Sequence, residues 1–152
     1  MQDRVVGFDF HNTLQVKRGN QWIVPVAHLE IIRNLRGLGW RVYLISFVGS
    51  RWREESTRSE IESSGLAREL GREGRDWFFV RSKQDKAPLC RQLGIQVFLD
   101  DSPEVIESLR REGIYTLPIN AGTHCVHEDG YHDITLALAV ERILCKVPVQ
   151  DR

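Results

Sequence analysis

Apolar and polar positions along the chain fall into short blocks whose period switches between that of a strand and that of a helix. Val5, Val6 and Phe8 form a brief β-branched and aromatic run that predicts a buried strand. Residues 15–24 hold a Gly19-Asn20 turn between two short semi-apolar runs, which predicts a small hairpin or flap. Pro25 suits the first turn of a helix, along which Leu29, Ile32, Leu35 and Leu38 recur at helical spacing until Gly37 and Gly39 end it. Arg41 to Ser46 is the second strand. Ser50 then offers a cap for a helix running to about Ser63.

The stretch from Ser64 to Asp76 is rich in Gly, Arg and Glu and predicts a short helix within a loop. Trp77–Val80 is the third strand, and Asp85–Leu93 a helix stopped by Gly94. Ile95–Leu99 is the fourth strand and runs into Asp100-Asp101. Ser102-Pro103 opens a helix that lasts to Gly113, Ile114–Leu117 is the fifth strand, and a last helix covers Asp133 to Cys145. Strands that alternate with helices and are apolar on both faces predict a parallel sheet in a three-layer α/β sandwich with right-handed crossovers. No linker, repeat or low-complexity segment divides the chain. The expectation is one domain over residues 1–147, with the 15–24 hairpin as a flap and 148–152 as a loose tail.

Composition narrows the classes of function. The 152 residues suffice for one substantial core, and hydrophobic residues make up 41%, as in ordinary globular domains. Lys+Arg and Asp+Glu both number 21, so no overall basic field argues for nucleic acid. No apolar run is long enough for a bilayer. Met1-Gln2-Asp3-Arg4 leads directly into the first strand, without room for a leader. Cys90, Cys125 and Cys145 are an odd number without disulfide-like spacing, which predicts a reducing, cytoplasmic setting.

The chemistry gathers at strand ends, where open α/β sheets bind their ligands. Asp9 and His11 follow the first strand, Ser46 ends the second, Lys83 and Lys86 follow the third, and Asp100 and Asp101 follow the fourth. These groups suit phosphoryl transfer. Asp9 would attack phosphorus, and Asp9, Asp100 and Asp101 would hold Mg2+ through hard oxygen ligands. Ser46 and a lysine would bind the remaining phosphate oxygens. His11, with an ordinary pKa of about 6.5, would protonate the leaving oxygen and later deprotonate the attacking water.

In these residues the chain resembles the haloacid dehalogenase superfamily. Asp9-Phe10-His11-Asn12-Thr13-Leu14 resembles the first motif, Asp-x-Asp-x-Thr-(Leu/Val). Ser46 looks like the second motif, Lys86 like the third, and Phe98-Leu99-Asp100-Asp101-Ser102-Pro103 like the acidic fourth. The resemblance spans about residues 5–117. It implies a Rossmann-like five-stranded sheet in the order 5-4-1-2-3 and an aspartyl-phosphate on Asp9. It also implies a magnesium ion bound in part by the main-chain carbonyl of His11. The departure is His11 itself, because phosphatases of this superfamily usually carry an Asp there as general acid/base. An imidazole keeps proton transfer available. It equally suits a regulatory or binding module that retains the magnesium and phosphate pocket without turnover.

Only about ten residues separate Leu14 from the first helix, and no long insertion follows Val80, so no large cap domain is expected. An open cleft suits a phosphoprotein, a nucleotide or a sugar phosphate, or closure by a second copy in a homodimer. Carbon–halogen cleavage, which needs an enclosed apolar pocket, is disfavoured. Lys86, at the start of the helix before strand four, is preferred to Lys83 as the phosphate lysine. Arg51, in Arg51-Trp52-Arg53, is a further candidate contact for the substrate. His124, Cys125, His127 and His132 match no standard zinc spacing and are read as a polar loop. Neither a dinucleotide fingerprint nor a P-loop is present.

Overall fold

The structure, a computed structural model, describes residues 4–119 and 135–146. Its centre is a five-stranded parallel sheet of β1 (Arg4–Phe8), β4 (Trp40–Phe47), β5 (Trp77–Val80), β6 (Val97–Asp100) and β7 (Tyr115–Pro118). The strands lie in the order β5-β4-β1-β6-β7. Counted without the hairpin strands β2 (Val16–Arg18) and β3 (Gln21–Ile23), that is the expected 5-4-1-2-3, read from the other edge. β1 lies at the centre, apolar and buried from Val5 to Phe8: Val6 pairs with Val42 and Val97, and Phe8 with Leu44 and Leu99.

The strand period of two sends alternate side chains to opposite layers. Val6, Phe8, Val42, Leu44 and Leu99 face α1 (Val26–Gly37), α2 (Arg51–Ser63), α3 (Leu66–Leu70) and α6 (Leu136–Lys146), where Ile32, Leu35, Ile61, Leu66 and Ile143 close the first core. Val5, Tyr43, Ile45 and Phe98 face α4 (Lys86–Leu93) and α5 (Pro103–Arg111), meeting Cys90, Val105 and Leu109. Gly7 lies between neighbours on this second face. A Cβ there would stand 2.6 Å from the Phe98 ring and 2.9 Å from Ile95. The central strand therefore carries a glycine because the ring of β6 occupies the space of a side chain.

The helix signals hold at Ser50 and Gly94, whereas Ser102 precedes α5 without a side-chain cap bond. Ser50 caps α2, its hydroxyl accepting from the Arg53 N–H at 3.2 Å. Gly94 closes α4 in the left-handed region at φ 73°. Several predicted boundaries move. Pro25 is the N-cap rather than the first helical residue, since its ψ of 148° is extended. The fourth strand starts at Val97, and just before it Gln96 meets β1 twice, its N–H donating to Val5 O at 3.0 Å and its side chain accepting from the Val5 N–H at 3.2 Å. The fifth strand ends on Pro118, a residue an edge strand tolerates.

The hairpin pairs Val16 with Ile23 and Arg18 with Gln21 around Gly19 at φ 62°. It is a separate two-stranded sheet between β1 and α1, and no larger insertion interrupts residues 4–119. No helix of the described residues is long and apolar enough to cross a membrane. His124, Cys125, His127, His132 and the 148–152 tail lie outside the described residues.

Candidate active site

Asp9 follows the last residue of β1, and its N–H donates to Leu99 O at 2.9 Å, which holds the chain in line with β6. The next residues turn sharply. Phe10 drops into the core, and its carbonyl accepts from the N–H groups of Thr13 and Gln15 at 3.2 and 2.9 Å. Asn12 takes the left-handed conformation, φ 61°, which asparagine tolerates better than most side chains. This turn brings Thr13 back so that its hydroxyl donates to Asp9 Oδ2 at 3.4 Å.

Lys86 opens α4 and is 2% exposed. Its Nζ donates to Asp9 Oδ1 at 2.8 Å and to Asp100 Oδ2 at 2.7 Å, above the Phe98 ring. A buried ammonium is costly unless paired, and here it is paired twice. Burial opposes the charged form, but the carboxylates of Asp100 and Asp9 outweigh it and raise the Lys86 pKa. Lys83 instead reaches Glu104 at 3.2 Å on the wall of the cleft. Of the two lysines, Lys86 is the one placed against Asp9 and Asp100.

Asp100 ends β6 fully buried, with Oδ1 accepting from the Ser102 N–H at 2.9 Å. Asp101 is half-buried, and its Oδ2 receives the Asn12 side-chain amide at 3.4 Å. One carboxylate oxygen each from Asp9, Asp100 and Asp101 lie within 4.8 Å of one another. Burial, then like charge, pushes Asp100 up to about 6. Asp9 is also raised to about 6, by burial first and by the Asp101 charge, against the pull of Lys86. Three clustered carboxylates facing one ammonium are what a divalent cation with hard oxygen ligands would balance.

The cluster opens on a cleft of about 460 Å3 whose other walls include Phe47, Lys83, Pro103 and Glu104. His11 lines it, half-buried, with its ring edge against Phe10 at 5.0 Å between centroids and Nε2 3.4 Å from the Thr57 hydroxyl. Burial lowers the His11 pKa below the 6.5 expected of a free imidazole, although Asp9 opposes that shift.

Two predicted contacts land elsewhere. Ser46 is next to last in β4 rather than at its end, and it does not line the cleft, where Phe47 stands. The Ser46 hydroxyl is fully buried and has no hydrogen-bond partner among the described residues. Arg51 is an exposed first residue of α2 and lines neither this cleft nor the hollow beside it. Arg53 does line that hollow, together with Glu60 and Trp22. The signal for the missed pair was helical spacing: Arg53, Thr57 and Glu60 at i, i+4 and i+7 share the face of α2 that meets His11.

No family model matches the chain, and no curated protein matches its sequence. The fold does have solved counterparts. A D,D-heptose 1,7-bisphosphate phosphatase from B. bronchiseptica, complexed with magnesium and phosphate, superposes with a TM-score of 0.66 at 12% identity, covering 93% of this chain and 98% of its own. A haloacid dehalogenase-like family hydrolase from Xanthomonas campestris gives a TM-score of 0.60 at 14% identity over 93% and 95% of the two chains. A chain of the Pnkp1/Rnl/Hen1 RNA repair complex gives 0.53 at 18% identity, over 77% of this chain and 42% of its own. The chain therefore carries the haloacid dehalogenase-like fold, with a two-stranded hairpin and no large cap between its described elements.

Proposed function

We propose that this protein is a magnesium-dependent phosphohydrolase that works through an aspartyl-phosphate on Asp9. The observation that carries the reading is the buried cluster in which Lys86 bonds both Asp9 and Asp100 while Asp101 stands beside them on an open cleft. Asp9, Asp100, Asp101 and the His11 carbonyl are the groups that would hold the ion. When bound, it supplies positive charge against the repulsion between an anionic nucleophile and an anionic phosphate.

The chain's own groups divide the remaining work. Lys86 fixes the rotamer of Asp9 and keeps its Oδ1 engaged. An Asp9 oxygen attacks phosphorus, the bond from phosphorus to the alcohol oxygen breaks, and that oxygen takes a proton from the His11 imidazolium. Water then attacks the same phosphorus and gives its proton to neutral His11, and the phosphorus–Asp9 bond breaks to restore the carboxylate. The low His11 pKa favours the neutral form at pH 7, which is the form the second step needs.

The test is hydrolysis of p-nitrophenyl phosphate with and without magnesium. Turnover is expected to need the metal and to vanish in Asp9→Asn; equal rates in the two proteins refute the reading. A second reading, a magnesium- and phosphate-binding module without turnover, is favoured by His11, whose imidazole stands where an Asp is usual and is a weak acid donor when held neutral. Magnesium-induced stabilisation with no activity on a broad phosphate panel, and activity gained in His11→Asp, would select it.

A further inference from the structure

The cleft over Asp9 does not stop at the acidic cluster. His11 and Asp101 also line a second hollow of about 320 Å3, walled by Gln15, Trp22, Arg53 and Glu60. Two walls come from the hairpin and its approach, and two from the face of α2 that also bonds His11 through Thr57. We propose that this hollow is a leaving-group subsite in which Trp22, Arg53 and Glu60 select a phosphomonoester whose alcohol is a neutral, hydroxyl-bearing ring. The assignment rests on Asp9 being the nucleophile.

A phosphorus held over Asp9 would have two lined spaces beside it, the cleft and the hollow that shares His11 and Asp101 with it. On the cleft side the wall carries the Lys83–Glu104 ion pair, with Lys83 lying over the Phe47 ring. The groups of the hollow have a consistent chemistry. Trp22 is half exposed and offers a flat indole on which a ring can stack. Glu60 is a carboxylate able to accept from two neighbouring hydroxyls, and Arg53 and Gln15 supply donors. With Asp101 engaged at the acidic cluster, Glu60 offsets the Arg53 charge, so a neutral group suits the hollow. The volume lies at the small end of ligand pockets, the scale of a furanose or pyranose rather than of a polymer.

The ring could arrive as a free sugar phosphate or within a nucleoside monophosphate, and one titration separates the sources without needing turnover. Ribose, glucose and adenosine are added to the 15N-labelled protein, and the indole N–H resonance of Trp22, assigned through Trp22→Phe, is followed. A saturable shift of Trp22 but not of the exposed Trp52 is expected. Movement with the sugars alone points to a sugar phosphate, and movement strongest with adenosine points to a nucleotide. No shift of Trp22 with any of the three, or equal shifts of Trp22 and Trp52, overturns the proposal. In turnover, the ratio of kcat/KM for glucose 6-phosphate, ribose 5-phosphate or adenosine 5′-monophosphate to that for acetyl phosphate should fall about tenfold in Trp22→Ala, chiefly through KM. Trp52→Ala should keep the ratio, and equal changes in the two variants overturn the subsite. A wild-type protein without turnover whose Trp22 still shifts removes the phosphohydrolase reading and retains the hollow.

Discussion

At the scale of single residues, Lys86 decides whether the site can exist. Its ammonium, 2% exposed, is what lets two fully or nearly fully buried carboxylates stand side by side. Replacing it by Met keeps the volume and removes the charge, so Asp9 and Asp100 must be buried against each other. Removing one partner of a buried pair typically costs about 3–5 kcal/mol. The two acids can escape part of that cost by protonating, and both already titrate at about 6. The loss in Lys86→Met is therefore expected to be smaller at about pH 5 than at about pH 8. Urea unfolding in EDTA at both pH values measures it, and an equal loss at both would contradict the pairing.

At the scale of elements, the site depends on how β1 and β6 pack beneath it. Gly7 leaves room for the Phe98 ring, and the Lys86 ammonium lies 5.5 Å from the centre of that ring. Phe98 is fully buried and cannot swing aside. Gly7→Ala should therefore cost about 1–3 kcal/mol by overpacking and should also disturb Lys86. Combining it with Phe98→Leu should recover part of the stability, and a double-mutant cycle reads the coupling. Additive losses would mean that the two positions do not compete for one space. The same scale explains why boundaries near the site moved. Ser50 capped its helix as its side chain predicts, whereas the approach to β6 is tied down by Gln96 meeting Val5, a residue 91 positions away.

At the scale of the whole molecule, the sheet brings acids from two distant strands to one edge, and the cost appears as a pH dependence. A carboxyl whose folded pKa exceeds its unfolded value favours the folded state when protonated. For Asp9 and Asp100, raised from 3.8 to about 6, this advantage is lost as pH rises through that window. Metal-free protein thus carries the full penalty above about pH 6, where the ionised cluster also binds a divalent cation best. Magnesium should accordingly raise Tm more at about pH 7.5 than at about pH 5, as thermal denaturation can show. An equal gain at both, or a gain retained in a protein with Asp9→Asn and Asp101→Asn, would place the ion elsewhere.

Much of this architecture can be read from one dimension. Short apolar runs separated by capped helices determined a parallel three-layer sheet, because period and punctuation are local properties of the chain. Asp9, Lys86, Asp100 and Asp101 could be named because each sits next to a strand or helix end that the pattern marks. The tertiary structure alone decided that Lys86 rather than Lys83 reaches two carboxylates and that Ser46 is buried without a partner among the described residues. It alone set Arg53 and Glu60, with Trp22 of the hairpin, around one hollow. Those outcomes depend on which faces of separate elements meet and how deeply each charge is buried. Both are set by packing between residues far apart in the chain, which no local pattern encodes.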